Sequence, residues 1–298
     1  SSAASDVYKR QMSLAAMALP AKRGLTNVIT LNDGTKVEVS LVGDEFMHYW
    51  QDANGNKYVP TGEANVFKLA DASAVSNLTT RALARKAKAH ARRAARRNLS
   101  NATDVFQGKK KGLVILVEFT DVKFKNSDSQ TLFNRIANEA GYNEGYFQGS
   151  VKDYFLAQSR GQFELDFDVV GPVKLSHNMK YYGGNDENGY DLHPEEMIVE
   201  ACKGIDSKVD FSKYDWDGDG EVDQVYVIYA GYGEADTGNE NTIWPHKYQL
   251  SGASMALTLD GVKVDTYACS SELNGAGEVG GICLLYTSDA ADDRISVD

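Results

Sequence analysis

The sequence is poor in cysteine, proline and histidine, and each shortage excludes something. Three cysteines stand in 298 residues, and one of them, Cys283, belongs to a terminal segment set apart below. The other two, Cys202 and Cys269, allow one disulfide at most, so a small scaffold built on disulfides is excluded. A single bridge and two buried thiols both stay open. There is no Cys-x-x-Cys, no Gly-x-Ser-x-Gly and no phosphate-binding glycine loop, which removes the common redox, serine-hydrolase and nucleotide-binding signatures. The five histidines are His48, His90, His177, His193 and His246. No two are four apart, as on one helix face, or two apart, as along one face of a strand, so no zinc site can be assembled locally. No apolar run approaches the roughly 20 residues that span a membrane. The net charge is −11, an acidic balance that suits a soluble protein and argues against nucleic acid as a partner.

The two ends read as foreign to the rest. One DNA stretch, read on its two strands in shifted frames, encodes both Ser1 to Gln11 and Cys283 to Asp292. The pair resembles a translated sequencing-library adapter, so residues 1–11 and 283–298 are set aside as adapter-derived and 12–282 are taken as native. The ends carry +1 and −3, which leaves −9 for the native span.

Three regions follow within that span. Residues 12–76 form a small β-rich unit. Val28 to Leu31 and Val37 to Leu41 flank the turn Asn32-Asp33-Gly34, and Phe46 to Trp50 and Lys57 to Val59 flank Asn54-Gly55-Asn56. Residues 77–108 are rich in alanine and arginine, with Arg81, Arg85, Lys86, Lys88, Arg92, Arg93, Arg96 and Arg97 and no acid between 81 and 97. These residues favour helix but offer no apolar stripe, so an exposed, partly helical linker open to proteases is expected. From 109 to 282 the pattern is that of a larger α+β domain. Leu113 to Val117 reads as a buried strand, and Leu132, Ile136 and Ala140 as a helix face. Ser150 caps a helix that stops at Gly161. Phe163 to Val169 alternates as a half-buried strand, Pro194 opens a helix that Gly204 stops, and Val222 to Tyr229 is a further strand. Asp260-Gly261 turns a hairpin between Leu257 to Leu259 and Val262 to Val264.

The strongest local chemistry lies in Asp215-Trp216-Asp217-Gly218-Asp219-Gly220-Glu221-Val222-Asp223. Oxygen-bearing side chains recur at alternate positions and Gly220 permits a sharp turn, which matches the first nine positions of an EF-hand-type calcium loop. Asp215, Asp217 and Asp219 would ligate through carboxylates, Glu221 through its backbone carbonyl, and Asp223 directly or through water. Tyr226 stands where the pattern has a bidentate glutamate, so the ion needs a further ligand from elsewhere. Because the chain after Val222 reads as strand, a helix–loop–helix sensor is not expected.

In this order the motifs resemble a family. Asp33-Gly34-Thr35, Gly43 to Trp50, Gly112 to Phe119, Ser150 to Phe155, Ser159 to Phe163, the acidic loop and Ile243-Trp244-Pro245-His246 are together similar to the M6-type, immune inhibitor A-like secreted metalloproteases of bacteria. The resemblance implies a zincin-like metalloprotease domain, incomplete here, behind a small propeptide-like domain. It implies a secreted or cell-surface zinc endopeptidase acting on proteins or peptides, stabilised by calcium, monomeric, with no nucleic acid and no membrane span. In that family a His-Glu-x-x-His helix supplies two zinc ligands and the general base. This sequence has no such motif, so the helix is expected beyond Ile282 and the fragment is expected to be inactive. The Leu257–Thr266 hairpin is expected to supply the edge strand that pairs substrate. The rival readings are a non-enzymatic, calcium-stabilised surface module and a protease that has lost its zinc.

Overall fold

The computed structural model describes residues 19–63, 65–99 and 106–280. The two adapter-like segments and the expected zinc-binding helix after Ile282 lie outside these residues. The fold is mixed α+β, with twelve strands and six α-helices among the described residues.

The first five strands, β1 (Thr26–Leu31), β2 (Lys36–Asp44), β3 (Met47–Gln51), β4 (Lys57–Pro60) and β5 (Val66–Leu69), close into a small barrel. β1 and β2 pair antiparallel across Asn32 to Thr35, β3 and β4 pair across the Gly55 turn, and β5 closes against β1 in parallel. Alternation along these strands turns Ile29, Val39, Leu41, Trp50, Tyr58 and Phe67 inward. The barrel cannot complete this cluster alone: Ala235 and Trp244, from far along the chain, finish it.

Helix α1 (Ala72–Leu99) follows. Most of its described side chains are exposed, yet the helix is docked rather than loose. Ala82 is buried, Lys86 pairs with Asp44 at 2.8 Å, and Lys88 reaches the Gly252 carbonyl. Long basic side chains dock the helix through their stems and charges, which a search for an apolar stripe cannot register.

The rest is built around one sheet, in the order β7-β6-β8-β12-β9. Its strands are β6 (Gly108–Glu118), β7 (Phe163–Lys174), β8 (Val225–Tyr232), β9 (His246–Gln249) and β12 (Thr266–Leu273). The first four neighbours run parallel, and β9 is an antiparallel edge strand beside β12. The run Leu113 to Val117 is buried on both faces. Leu113, Ile115 and Val117 pack with Met197, Ile198, Ala201, Cys202 and Ile205 of α5 (Pro194–Ile205), on the side where α4 (Met179–Gly183) also lies. Val114 and Leu116 face α2 (Ser129–Asn138) and α3 (Val151–Gln158). A short α6 (Glu234–Thr237) follows β8.

Several local expectations hold in detail. Ser150 and Asp153 cap α3 reciprocally, and Gly161, in the left-handed region, ends its turn by donating to the Leu156 carbonyl. Others shift. The buried face of α2 is Phe133, Ile136 and Ala137, because the helix stops at Asn138 before Ala140 can join it. Gly204 does not end α5. It lies inside the helix because a Cβ there would come within 2.5 Å of Val173 Cγ1. Cys202 and Cys269 are both buried free thiols.

The hairpin of β10 (Leu257–Leu259) and β11 (Val262–Val264) turns at Asp260 and Gly261, both in the left-handed region, but it forms a separate two-stranded sheet. It does not supply the sheet edge. Its backbone is committed elsewhere, with Val222 N–H donating to the Lys263 carbonyl and Lys263 N–H to the Gly220 carbonyl. Thr266 already belongs to β12, inside the sheet, and the edge on that side is β9.

Because Trp244 belongs both to the barrel's apolar cluster and to the chain leading into β9, replacing it should loosen both. Trp244→Ala is expected to cost roughly 3–5 kcal/mol, as large aromatic truncations in a core do, read as a lower urea midpoint. A cost under about 1 kcal/mol would show that the barrel does not depend on this contact.

Candidate metal centre and the barrel interface

The acidic loop hangs between two fixed points. On its entry side a 3₁₀ turn, Phe211–Tyr214, buries both aromatic ends. The Tyr214 hydroxyl donates to Asp168 at 3.0 Å, and Trp216 donates from Nε1 to the Lys111 carbonyl of β6 at 2.7 Å. On its exit side the chain enters β8. Between them the carboxylates organise the turn. Asp215 accepts from the amides of Gly218 and Asp219 through one oxygen and from Gly220 through the other. Gly218 and Gly220 have φ of 74° and 85°, a conformation that favours glycine.

Asp215, Asp217 and Asp223 each place a carboxylate oxygen within 4.8 Å of the others. The other two candidates stand differently. Asp219 accepts from the Glu221 amide at 2.8 Å, and Glu221, expected to ligate through its backbone carbonyl, turns its carboxylate to Lys263 at 3.1 Å. Tyr226 is buried in β8 with its hydroxyl donating to Ser270, so the twelfth position of the pattern offers nothing to an ion. The donors that converge are all oxygens, with no sulfur or imidazole among them. Such a set suits a hard cation like calcium rather than zinc.

The four histidines with described side chains are engaged in other contacts. His48 stacks on Trp244 with centroids 4.3 Å apart, and its Nε2 lies 3.5 Å from Glu234, an ion-pair distance. His177 stacks on Tyr181, and His193 stacks on Tyr181 and faces Glu196. His246 is buried between the Trp244 carbonyl and the Tyr267 hydroxyl, and burial pushes it down to about 4, so it is neutral. Among the described residues no group of three possible ligands contains a histidine. No step through zinc can be derived from these side chains.

A second constellation lies where the barrel meets the sheet domain, and nothing in the sequence pattern announced it. Glu45 and His48 come from the barrel; facing it are Asp191 and Glu240 from loops, Glu195 from the first turn of α5 and Glu234 from the start of α6. The partners are separated by more than a hundred residues, so no local spacing could reveal them. Tyr190 ties the two sides by donating to the Phe46 carbonyl at 3.0 Å, and Lys22 N–H donates to the Ala235 carbonyl. Burial pushes Glu45 up to about 9, with neighbouring Asp44 adding to the shift and Lys86 opposing it. Burial, reinforced by Glu234, lifts Glu240 to about 7 and holds Asp191 well above the usual carboxylate range. Burial pulls His48 down, but Glu234 outweighs it and the net shift is upward. Arg85 offsets part of the rise at Asp191 and at Glu195.

With this geometry in hand, comparison with known proteins places the chain. A family model described as the immune inhibitor A peptidase M6 catalytic domain matches residues 99–274, more than half of the sequence. The chain belongs to that family of peptidases. Immune inhibitor A of Bacillus thuringiensis subsp. alesti is 26% identical over 184 residues, covering 50% of this chain and 27% of that relative. The chain thus spans about a quarter of the length of the curated relative it matches.

The interface groups give a pH dependence with one sign. All five shifted groups, Glu45, Asp191, Glu195, Glu240 and His48, have raised values, so the folded state holds protons that the unfolded state releases. Their contribution is full below the ordinary carboxylate range and is lost as pH climbs through about 7 for Glu240 and about 9 for Glu45. Carboxylates with lowered values, such as Asp166 and Glu164, act only at acid pH and do not oppose this. The melting temperature should therefore fall between pH 6 and pH 9. A melting temperature that rises across that interval would contradict the arrangement.

Proposed function

We propose that this chain is a propeptide-like barrel joined through α1 to the first part of a zincin-like catalytic domain of a secreted, calcium-stabilised zinc endopeptidase. Membership of the M6 peptidase family carries the reading. The acidic loop supports its calcium part, and the antiparallel strand β9 at the sheet edge is where an extended peptide could add by backbone pairing. The zinc ligands and the general base are proposed to lie in residues of the longer protein outside this sequence, on a helix carrying His-Glu-x-x-His. When bound there, zinc would polarise the scissile carbonyl and activate a water. The residues present here hold the sheet, the edge strand and the acidic loop in place, and these 298 residues alone should hydrolyse no peptide.

The deciding test is to read the gene outward from codon 282. The expected result is a His-Glu-x-x-His helix within roughly ten codons, its two imidazoles one helical turn apart on a shared face. In the full-length protein, replacing its glutamate should abolish casein cleavage and leave zinc bound. A frame that continues without the motif would make the scaffold a binding module or a protease that has lost its zinc.

Calcium is tested on the chain itself. At a concentration one hundred times the dissociation constant, ligand linkage adds about 2.7 kcal/mol to stability. Calcium should raise the melting temperature relative to chelator, and Asp217→Ala should remove most of that increment. Equal melting temperatures with and without calcium would end the assignment.

A further inference from the structure

Arg85 sits in an unusual place for a cation on an alanine-rich helix. Its guanidinium carbon lies 4.0 Å from the ring centroid of Tyr190 and 5.5 Å from that of Tyr248. Tyr248 belongs to the edge strand β9, where it pairs opposite Tyr267 of β12. Tyr190 is held by its hydroxyl bond to the Phe46 carbonyl. Glu195, in the first turn of α5, and Asp191 line the same cleft. With Arg85 in place a cavity of about 50 Å³ open to water remains in the cleft. Aromatic faces on two sides, carboxylates beside them and a close fit are the features by which proteins recognise guanidinium groups.

The neighbours of Arg85 show why it is held there. Lys86 pairs with Asp44 of the barrel, Arg81 bonds Asn188, and Lys88 reaches Gly252, just past the end of β9. The helix therefore runs alongside the sheet edge, and Arg85 is the side chain that turns into the cleft.

We propose that the cleft formed by Tyr190, Tyr248, Glu195 and Asp191 is a guanidinium-binding pocket, filled here by Arg85, which takes an arginine side chain of a peptide paired along β9 once α1 is withdrawn. The second half of this statement rests on the peptidase reading above; the pocket itself does not. It makes Arg85 a stand-in from the protein's own chain, and it makes Glu195 and the two tyrosines determinants of preference for arginine-bearing peptides.

The test is a binding measurement on the chain as it stands, with N-acetyl-arginine-methylamide as probe and N-acetyl-norleucine-methylamide as the uncharged control. The native chain should bind neither, because the pocket is full. Arg85→Ala should bind the arginine compound saturably and prefer it to the control by about tenfold or more, as expected of a desolvated cation–π contact beside a carboxylate. Adding Glu195→Gln should reduce that preference, and adding Tyr248→Ala should reduce it further. Arg85→Met keeps the aliphatic stem that packs the helix, so it carries the same test if the alanine variant does not fold. Absence of arginine binding in a folded Arg85 variant, or equal binding by the native chain, would overturn the pocket. No turnover is measured, so such a failure leaves the peptidase reading intact; that reading falls only if the downstream sequence lacks its zinc motif.

Discussion

A parallel strand buried on both faces must satisfy every backbone group within its sheet and must be covered by two layers, and β6 imposes both demands on the rest of the domain. Its odd-numbered residues require α5 on one side, and its even-numbered residues require α2 and α3 on the other. β8 lies against it, β12 against β8, and β9 can exist only as the last step outward. The acidic loop is tied to the same strand through the Lys111 carbonyl that Trp216 engages. The position of the loop is therefore set by apolar packing and backbone bonding. A bound cation would tighten the turn rather than create the site.

Carboxylates of similar sequence appearance meet different fates in the two charged regions. Two like charges 4 Å apart repel by about 1 kcal/mol in water and about 4 kcal/mol near a protein surface. Asp215, Asp217 and Asp223 are half-buried, and their charge is met by loop amides, with room for a cation. Glu45, Asp191 and Glu240 are enclosed between barrel and sheet, where burial raises their affinity for protons instead. Burial, not composition, decides whether an acid keeps its charge or holds its proton more tightly.

What was legible in the sequence was local. Turns at Gly34, Gly55 and Asp260-Gly261, the cap at Ser150, the apolar run of β6 and the spacing of the acidic loop each depend on residues a few positions apart, and each could be read directly. The hairpin at 257–264 shows the limit. Its turn chemistry was legible, but its partner was not, because pairing with Gly220 and Val222 is a tertiary matter that no spacing encodes. The same holds for His48, which reads as an isolated histidine yet closes the barrel against Trp244 and Glu234. Gly204 reads as a stop signal because that is what glycine most often means near a helix end; here a strand passes too close for any side chain.

Helix α1 carries this furthest. A charged, alanine-rich segment has no stripe to bury, and pattern reading correctly finds none. It docks nonetheless, through the Lys86–Asp44 pair and the guanidinium of Arg85 held between two tyrosine rings. Contacts of this kind are few, directional and sensitive to the charge of the groups around them, whereas apolar burial is spread over area and indifferent to pH. The helix is consequently held by a handful of side chains over a cleft lined by buried acids. An element attached in that way can leave without exposing a core, which is the physical condition for a segment that covers a sheet edge in one state of a protein and frees it in another.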